Sequence, residues 1–218
     1  MSNVLVVYSG GLDSYTLLRK AIKKFDRVEA ITFNYGQKHS KEIEFAKLNC
    51  KELNVKHEVV NLELENILSN SALVGDTEIP EGNYDKEKIK QTIVPNRNMI
   101  MISVAASLAI KNNIEYLWYA AHSGDHEIYP DCRPEFIDKM AAVLEICDYH
   151  KIKFEAPFQN FSKSEIVKTG LAMGLDYSKA WTCYEGKDFP CKKCSACLER
   201  AYSFEINNTK DPLNVLQD

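Results

Sequence analysis

The sequence predicts an α/β fold: a parallel sheet of about five strands with helices on both faces, followed by a small zinc-binding region near the C-terminus. Three observations carry this. Short apolar and β-branched runs alternate with stretches of helical periodicity over most of the chain. The first such run ends in a glycine pair that opens directly into a helix. Four of the seven cysteines, Cys183, Cys191, Cys194 and Cys197, crowd together near the C-terminus.

Residues 4–8 form the first strand-like run, ending at Ser9-Gly10-Gly11, after which Leu17, Leu18, Ala21, Ile22 and Phe25 recur with helical spacing. Residues 28–33 read as a second strand, 40–53 as a helix and 57–62 as a third strand. Such alternation favours parallel pairing, because each helix returns the chain across a sheet face. From 65 to 91 the period is lost and Gly75, Pro80 and Gly82 collect among charges, a length suited to a lid over a site. Residues 96–111 follow as a buried helix, 116–121 as a central strand, 134–148 as a helix and 154–157 as a last short strand. Ser162 precedes Glu165 at capping-box spacing, so a helix runs from Lys163 to about Met173.

The 218 residues suffice for a substantial core, and 45% hydrophobic with 27% charged residues is an ordinary globular composition. A net charge of −4 argues against a nucleic-acid surface built on bulk electrostatics. The longest apolar stretch, 99–110, contains Ser103 and Ser107 and is shorter than the roughly 20 residues of a membrane span. With no signal-type N-terminus, a cytoplasmic location is expected and no membrane partner.

Ser9-Gly10-Gly11-Leu12-Asp13-Ser14 stands at the strand-to-helix turn where an open parallel sheet places its ligand crevice. Two glycines allow the backbone close to an anion, and the free N–H groups and dipole of the helix start favour a pyrophosphate. Ser9 and Ser14 add hydroxyls. Asp13 has the wrong charge to bind phosphate and is suited either to Mg2+ or to fixing the loop. The string ends in neither the Gly-Lys-Ser/Thr of a Walker loop nor the pattern of a dinucleotide turn.

Cys191, Cys194 and Cys197 repeat at intervals of three, with Cys183 before them. In a reducing compartment such thiols hold a metal rather than disulfides. Four thiolates close a tetrahedral zinc site, and an iron–sulfur cluster is the competing reading. With every position filled by sulfur the metal is structural, with Trp181, Phe189 and Tyr202 expected around it.

The glycine-loop string resembles the signature of PP-loop ATP pyrophosphatases, whose fold is adenine nucleotide alpha hydrolase-like. Further strings are similar to one family across nearly the whole chain: 7-cyano-7-deazaguanine synthase, the QueC family. They are Phe33-Asn34-Tyr35-Gly36-Gln37-Lys38-His39 with Glu42, Val94-Pro95-Asn96-Arg97-Asn98, and Tyr129-Pro130-Asp131-Cys132-Arg133-Pro134-Glu135-Phe136. The Ser162-Lys163-Ser164-Glu165-Ile166 helix start and the cysteines complete the order; Cys191-Lys192-Lys193-Cys194 lacks the glycine common in relatives. The resemblance implies that ATP, ammonia and 7-carboxy-7-deazaguanine give the 7-cyano base through an amide. ATP would lie along Tyr8, Ser9, Gly10, Gly11, Leu12, Asp13, Ser14, Tyr15, Thr16, Leu17 and Leu18, with Mg2+ on the phosphates and Zn2+ on the cysteines. It also implies a homodimer, a catalytic unit over 1–175 and a zinc-binding segment over 176–218 packed on it.

Among candidate catalytic residues, Arg133 is suited to pairing with the substrate carboxylate, and Asp131 or Glu135 to accepting from a guanine-like base. Tyr35 is suited to stacking. Arg97 and Lys163 are candidates for neutralising phosphate, against the bland reading of solvated cations. His39 binds an adenylate, moves a proton or caps a helix. His122 and His126 stand four apart, but Gly124 makes the segment a loop suited to ligand contact rather than to a second metal. The alternatives in function are an amide-forming relative, a PP-loop enzyme acting on tRNA, and a nucleotide-binding module without turnover.

Overall fold

Five strands, β1 Asn3–Val7, β2 Arg27–Asn34, β3 Lys56–Asn61, β4 Tyr116–Trp118 and β5 Lys153–Glu155, form one parallel sheet in the order β3-β2-β1-β4-β5. The computed structural model describes residues 1–64, 71–74, 78–80, 90–185 and 187–215. Most of the expected lid over 65–91 lies outside them.

The chain builds β1 to β3 outward on one side and returns to place β4 on the other side of β1. That reversal opens a crevice at the carboxyl ends of β1 and β4, where a parallel α/β sheet takes its ligand. The expected sheet is therefore found, with shorter strands on the β4–β5 side: the run foreseen to 121 pairs as β4 only to Trp118.

Alternation along β1 decides which helix packs where. Leu5 faces a core with α3 (Arg97–Lys111) and α4 (Pro134–Ile146), through Met101, Ile102, Ala105, Ile137 and Met140. Val4 and Val6 face the opposite core with α1 (Leu12–Lys24), α2 (Lys41–Glu52) and α5 (Lys163–Ala172), through Leu17, Leu18, Ala46, Ile166 and Val167. Each fully buried Leu, Ile or Val contributes about 1.5–3 kcal/mol, so slipping the register of β1 by one residue would forfeit both cores.

Two helix starts bear on the site. α5 has the foreseen capping box: Ser162 Oγ accepts from Glu165 N at 3.3 Å and Glu165 Oε2 accepts from Ser162 N at 2.7 Å. α3 begins after Asn96 in the left-handed region, φ 57°. Its Asn98 N–H donates to Asp131 Oδ2 at 3.2 Å, a cap supplied from across the fold.

After residue 175 come a short 3-10 turn Tyr177–Lys179, α6 Ser195–Ile206 and α7 Pro212–Val215. This stretch lies against the glycine loop: Trp181 N donates to Gly10 O at 3.0 Å and Trp181 pairs with Gly11 as a single parallel bridge. Arg200 on α6 is buried, grips Asp211 through Nε (2.8 Å) and Nη2 (2.9 Å), and donates to the Tyr177 and Ala180 carbonyls. A bidentate buried pair with every donor used fixes both chain directions at once.

Candidate active site and four-cysteine centre

A cavity of about 240 Å³ lies at the carboxyl end of β1, floored by the glycine loop and walled by residues from β2, α3, α5 and the cysteine segment. The loop itself is tightly cross-braced. Gly11 N donates to Ser9 Oγ at 3.1 Å, Ser9 N donates to Ser14 Oγ at 3.3 Å, and Ser14 Oγ donates to Gly11 O at 3.1 Å. α1 starts without a side-chain cap, unlike α5, which leaves its first-turn N–H groups and positive dipole end for an anion.

Of the segment foreseen along the nucleotide, Tyr8, Ser9, Gly11, Leu12, Asp13 and Ser14 border the cavity. Tyr15, Leu17 and Leu18 belong to the core behind it, and the Thr16 hydroxyl bonds Tyr177 Oη at 2.8 Å. Gly10, at φ +93°, has a reason other than ligand approach: a Cβ there would stand 2.1 Å from the backbone oxygen of Glu42 on α2. The glycine lets helix and loop touch.

The helix start at Lys163 brings a cation to the glycine-loop side of the cavity. Lys163 Nζ lies 2.6 Å from Glu199 Oε2 and 3.5 Å from Asp13 Oδ2. His122 Nε2 lies 3.6 Å from Asp13 Oδ2 and 3.4 Å from Asp125 Oδ2, and its Nδ1 accepts from Gly124 N at 3.1 Å. Burial, the largest influence, raises the Asp125 pKa above its ordinary value, against the opposing pull of His122 and Lys163. Asp13 Oδ1 is buried without a hydrogen-bond partner among the described residues. An orphan carboxylate oxygen beside an anion cradle fits a hard divalent ion such as Mg2+.

At the other end of the cavity the cation is Arg97. Its Nη1 donates to Tyr35 Oη at 3.1 Å and its guanidinium lies 5.7 Å from the Tyr35 ring centre. Burial pushes the hydroxyls of Tyr35, Tyr119 and Tyr129 up, so all three stay neutral at ordinary pH and serve as hydrogen-bonding walls. Cys132 is buried there too and is held up as a thiol by the same desolvation; its Sγ accepts from Asn98 Nδ2 at 3.4 Å.

The structure does not bring every candidate to this cavity. Arg133 is exposed, sits ahead of Pro134 at the start of α4 and donates through Nε to His126 O at 2.8 Å. Glu135 is an exposed partner of Lys139 at 2.6 Å. Asp131 caps α3 from beside the cavity rather than lining it. Glu199, given no role from the sequence, is the partner that holds Lys163. No local pattern marks it, since the pair forms between α5 and α6.

The sulfurs of Cys183, Cys191, Cys194 and Cys197 all lie within 4.8 Å of one another, and those of Cys191 and Cys197 are 4.0 Å apart. A tetrahedral ion with M–S bonds of roughly 2.3 Å needs sulfurs about 3.8 Å apart, so the four converge on one ion's volume. Cys191 N donates to Cys183 Sγ and Cys194 N to Cys191 Sγ, both at 3.3 Å, a backbone setting that favours thiolates. Bonds from Cys194 and Cys197 hold the Cys183 thiol well below its usual range, while Cys194, bonded to Cys183, is pushed up to about 12. A bound cation replaces these shared protons. Trp181 is buried beside the cluster as foreseen, whereas Phe189 and Tyr202 are exposed: Ala196 and Leu213 are buried there instead, with Phe45 and Tyr184 packed against them.

The sequence model of the family described as "Queuosine biosynthesis protein QueC" matches residues 3–208. The chain belongs to the QueC family. It is 49% identical over 211 residues to the 7-cyano-7-deazaguanine synthase of Pseudoalteromonas translucida, covering 96% of this chain and 97% of that one. With 7-cyano-7-deazaguanine synthase 1 of Colwellia psychrerythraea the identity is 48% over 211 residues, at 96% and 97% coverage. Among solved structures, a 4-thiouridine synthetase in complex with RNA and bound ATP superposes with a TM-score of 0.55 at 16% identity, covering 99% of this chain and 52% of that one. The U34-tRNA thiolase NcsA from Methanococcus maripaludis, with its [4Fe-4S] cluster, gives 0.50 at 17% identity, covering 95% of this chain and 65% of that one. These two establish a shared PP-loop-type fold for the QueC chain.

Proposed function

We propose that this chain converts 7-carboxy-7-deazaguanine and ammonia to 7-cyano-7-deazaguanine at the expense of ATP, through an adenylated carboxylate and then an adenylated amide. The observation that carries the reading is the serine- and glycine-braced loop with its uncapped helix start on a cavity holding Lys163 and Arg97, in a QueC chain similar over its length to synthases.

A carboxylate repels a nucleophile. Transfer of AMP to its oxygen makes that oxygen a leaving group, so ammonia forms the C–N bond as AMP departs; adenylation of the amide oxygen then allows loss of AMP and protons to the nitrile. Each transfer releases pyrophosphate at the loop, where the α1 dipole and Lys163 offset its charge. Glu199 keeps Lys163 extended toward Asp13. Asp13, with its Oδ1 unpartnered among the described residues, would hold Mg2+, which would supply charge neutralisation and alignment of the phosphates. Arg97, the cation at the Tyr35 end, takes the substrate carboxylate, the task sequence had suggested for the exposed Arg133.

The four-cysteine site is proposed as structural Zn2+: sulfurs within 4.8 Å suit one ion, whereas a cubane cluster spreads its thiolates around four irons. A homodimer and a cytoplasmic location complete the reading, as does a division at about residue 175 between the catalytic unit and the zinc-binding segment.

The deciding experiment incubates metal-replete protein with ATP, Mg2+, ammonium and 7-carboxy-7-deazaguanine and follows AMP, pyrophosphate and the base by mass spectrometry. Nitrile with AMP and pyrophosphate is expected. Amide alone would assign the chain to the amide-forming variant, and absence of substrate-dependent AMP would overturn the reading.

A further inference from the structure

Ammonia attacking an activated carboxyl must shed a proton from nitrogen, and the same nitrogen sheds further protons when the adenylated amide collapses to a nitrile. One base beside that nitrogen can serve both halves of the reaction. Most titratable groups around the cavity are already engaged. His122 uses both ring nitrogens, Nδ1 on Gly124 N and Nε2 on Asp13 and Asp125. Lys163 is held between Asp13 and Glu199. The cavity tyrosines and Cys132 are kept protonated and neutral by burial.

His39 differs. It lines the cavity, is 7% exposed, and its Nδ1 is buried with no hydrogen-bond partner among the described residues. Its Nε2 lies 3.3 Å from Glu42 Oε1, one turn on at the start of α2, and Glu42 lines the same cavity. A carboxylate at that distance fixes the proton on Nε2 and leaves the Nδ1 lone pair as an acceptor. α2 carries Glu42 against the glycine loop, since the Glu42 backbone oxygen is the atom that demands glycine at position 10.

We infer that His39, oriented by Glu42, is the catalytic base of the amination and dehydration steps. The inference rests on the synthase reading above. As the ammonia nitrogen bonds the carboxyl carbon and the C–O bond to AMP breaks with its electron pair on AMP, one N–H proton passes to His39 Nδ1. Glu42 steadies the imidazolium that forms. In the second half, the N–H bond of the adenylated amide breaks toward the same nitrogen as AMP leaves and the C–N bond becomes triple. Tyr184, which also lines the cavity, packs against His39 at 5.7 Å between ring centres and shields the lone pair from bulk water.

The test separates activation from amination. Pyrophosphate–ATP exchange dependent on 7-carboxy-7-deazaguanine, run without ammonium, reads adenylation; amide and nitrile formation with ammonium reads the base. His39→Gln is expected to keep exchange within about threefold of wild type and to lower product formation about 100-fold or more. Glu42→Gln is expected to show the same split with a smaller loss. Preserved exchange also certifies a folded site. A parallel fall of both activities would make His39 a binding or structural residue and overturn the inference, as would full product formation by the glutamine variant. Absence of exchange in the wild type would instead remove the synthase reading itself, and the inference with it.

Discussion

Replacing Gly10 and Gly11 one at a time by alanine should have opposite consequences, although the two stand side by side in one loop. At Gly10 the left-handed backbone, φ +93°, costs an alanine roughly 1–2 kcal/mol. Its Cβ would also stand 2.1 Å from the Glu42 oxygen and 3.0 Å from the Ala46 nitrogen, both backbone atoms of a packed helix. Relief needs α2 to move by about 1 Å, a core overpacking of roughly 1–3 kcal/mol. The total of about 2–5 kcal/mol lowers Tm by roughly 10 °C in a chain of this size. At Gly11 φ is −74° and the nearest contacts are the Ser9 hydroxyl at 3.1 Å and the Trp181 oxygen at 3.5 Å, which an alanine meets without backbone strain. That methyl faces the cavity, so Gly11→Ala should melt within about 2 °C of wild type while raising the KM for ATP. Thermal unfolding by circular dichroism and substrate-dependent AMP release read the two effects. A Gly10→Ala variant melting beside wild type, or a Gly11→Ala variant as destabilised as its neighbour, would refute the reasoning.

Three further outcomes are expected. Lys163→Met leaves Asp13 and Glu199 facing each other without a cation, and kcat/KM for ATP should fall about 100-fold or more in a steady-state assay. Cys194→Ser, or a strong chelator, should release one metal ion per chain by elemental analysis and lower Tm by at least several degrees, because the cluster anchors the segment lying on the loop. For Asp125, burial raises the folded pKa above the unfolded one, so its contribution to stability is full in acid and lost as pH rises through the folded value. Asp125→Asn should therefore raise Tm near neutral pH, with the gain vanishing at pH 3; an equal gain at both pH values would exclude this linkage.

What could be seen in the sequence was what repeats or what is local. The alternation of β-branched runs and helical stretches gave the sheet and both layers, and Ser162 with Glu165 gave the start of α5 because a capping box is written within four residues. Sulfurs spaced by three residues can reach one ion without knowledge of the rest of the fold. Pairings made across the fold left no such trace. Glu199 holds Lys163 only because α5 and α6 lie together, and the exposed Arg133 spends its Nε on the His126 carbonyl rather than on the cavity. Gly10 was assigned to anion approach, a property of glycine anywhere, when its strictest duty is to the backbone of α2. Phe189 and Tyr202 illustrate the remaining error: aromatic character invites burial, but the space beside the cysteines is taken by Trp181, Ala196 and Leu213, with Phe45 and Tyr184 against them.

The bridge from Trp181 to the glycine loop joins a part of the chain that leaves the ribosome early to one that leaves late. β1, the loop and α1 can take shape while most of the protein is still being made, yet the Gly10 carbonyl waits for Trp181 to arrive. Trp181 is in turn set by Arg200 and the cysteines that follow it. A prematurely terminated chain would thus carry the whole glycine-loop string and still lack the strand partner that holds it in shape, so half-made copies are poorly equipped for the proposed use of nucleotide.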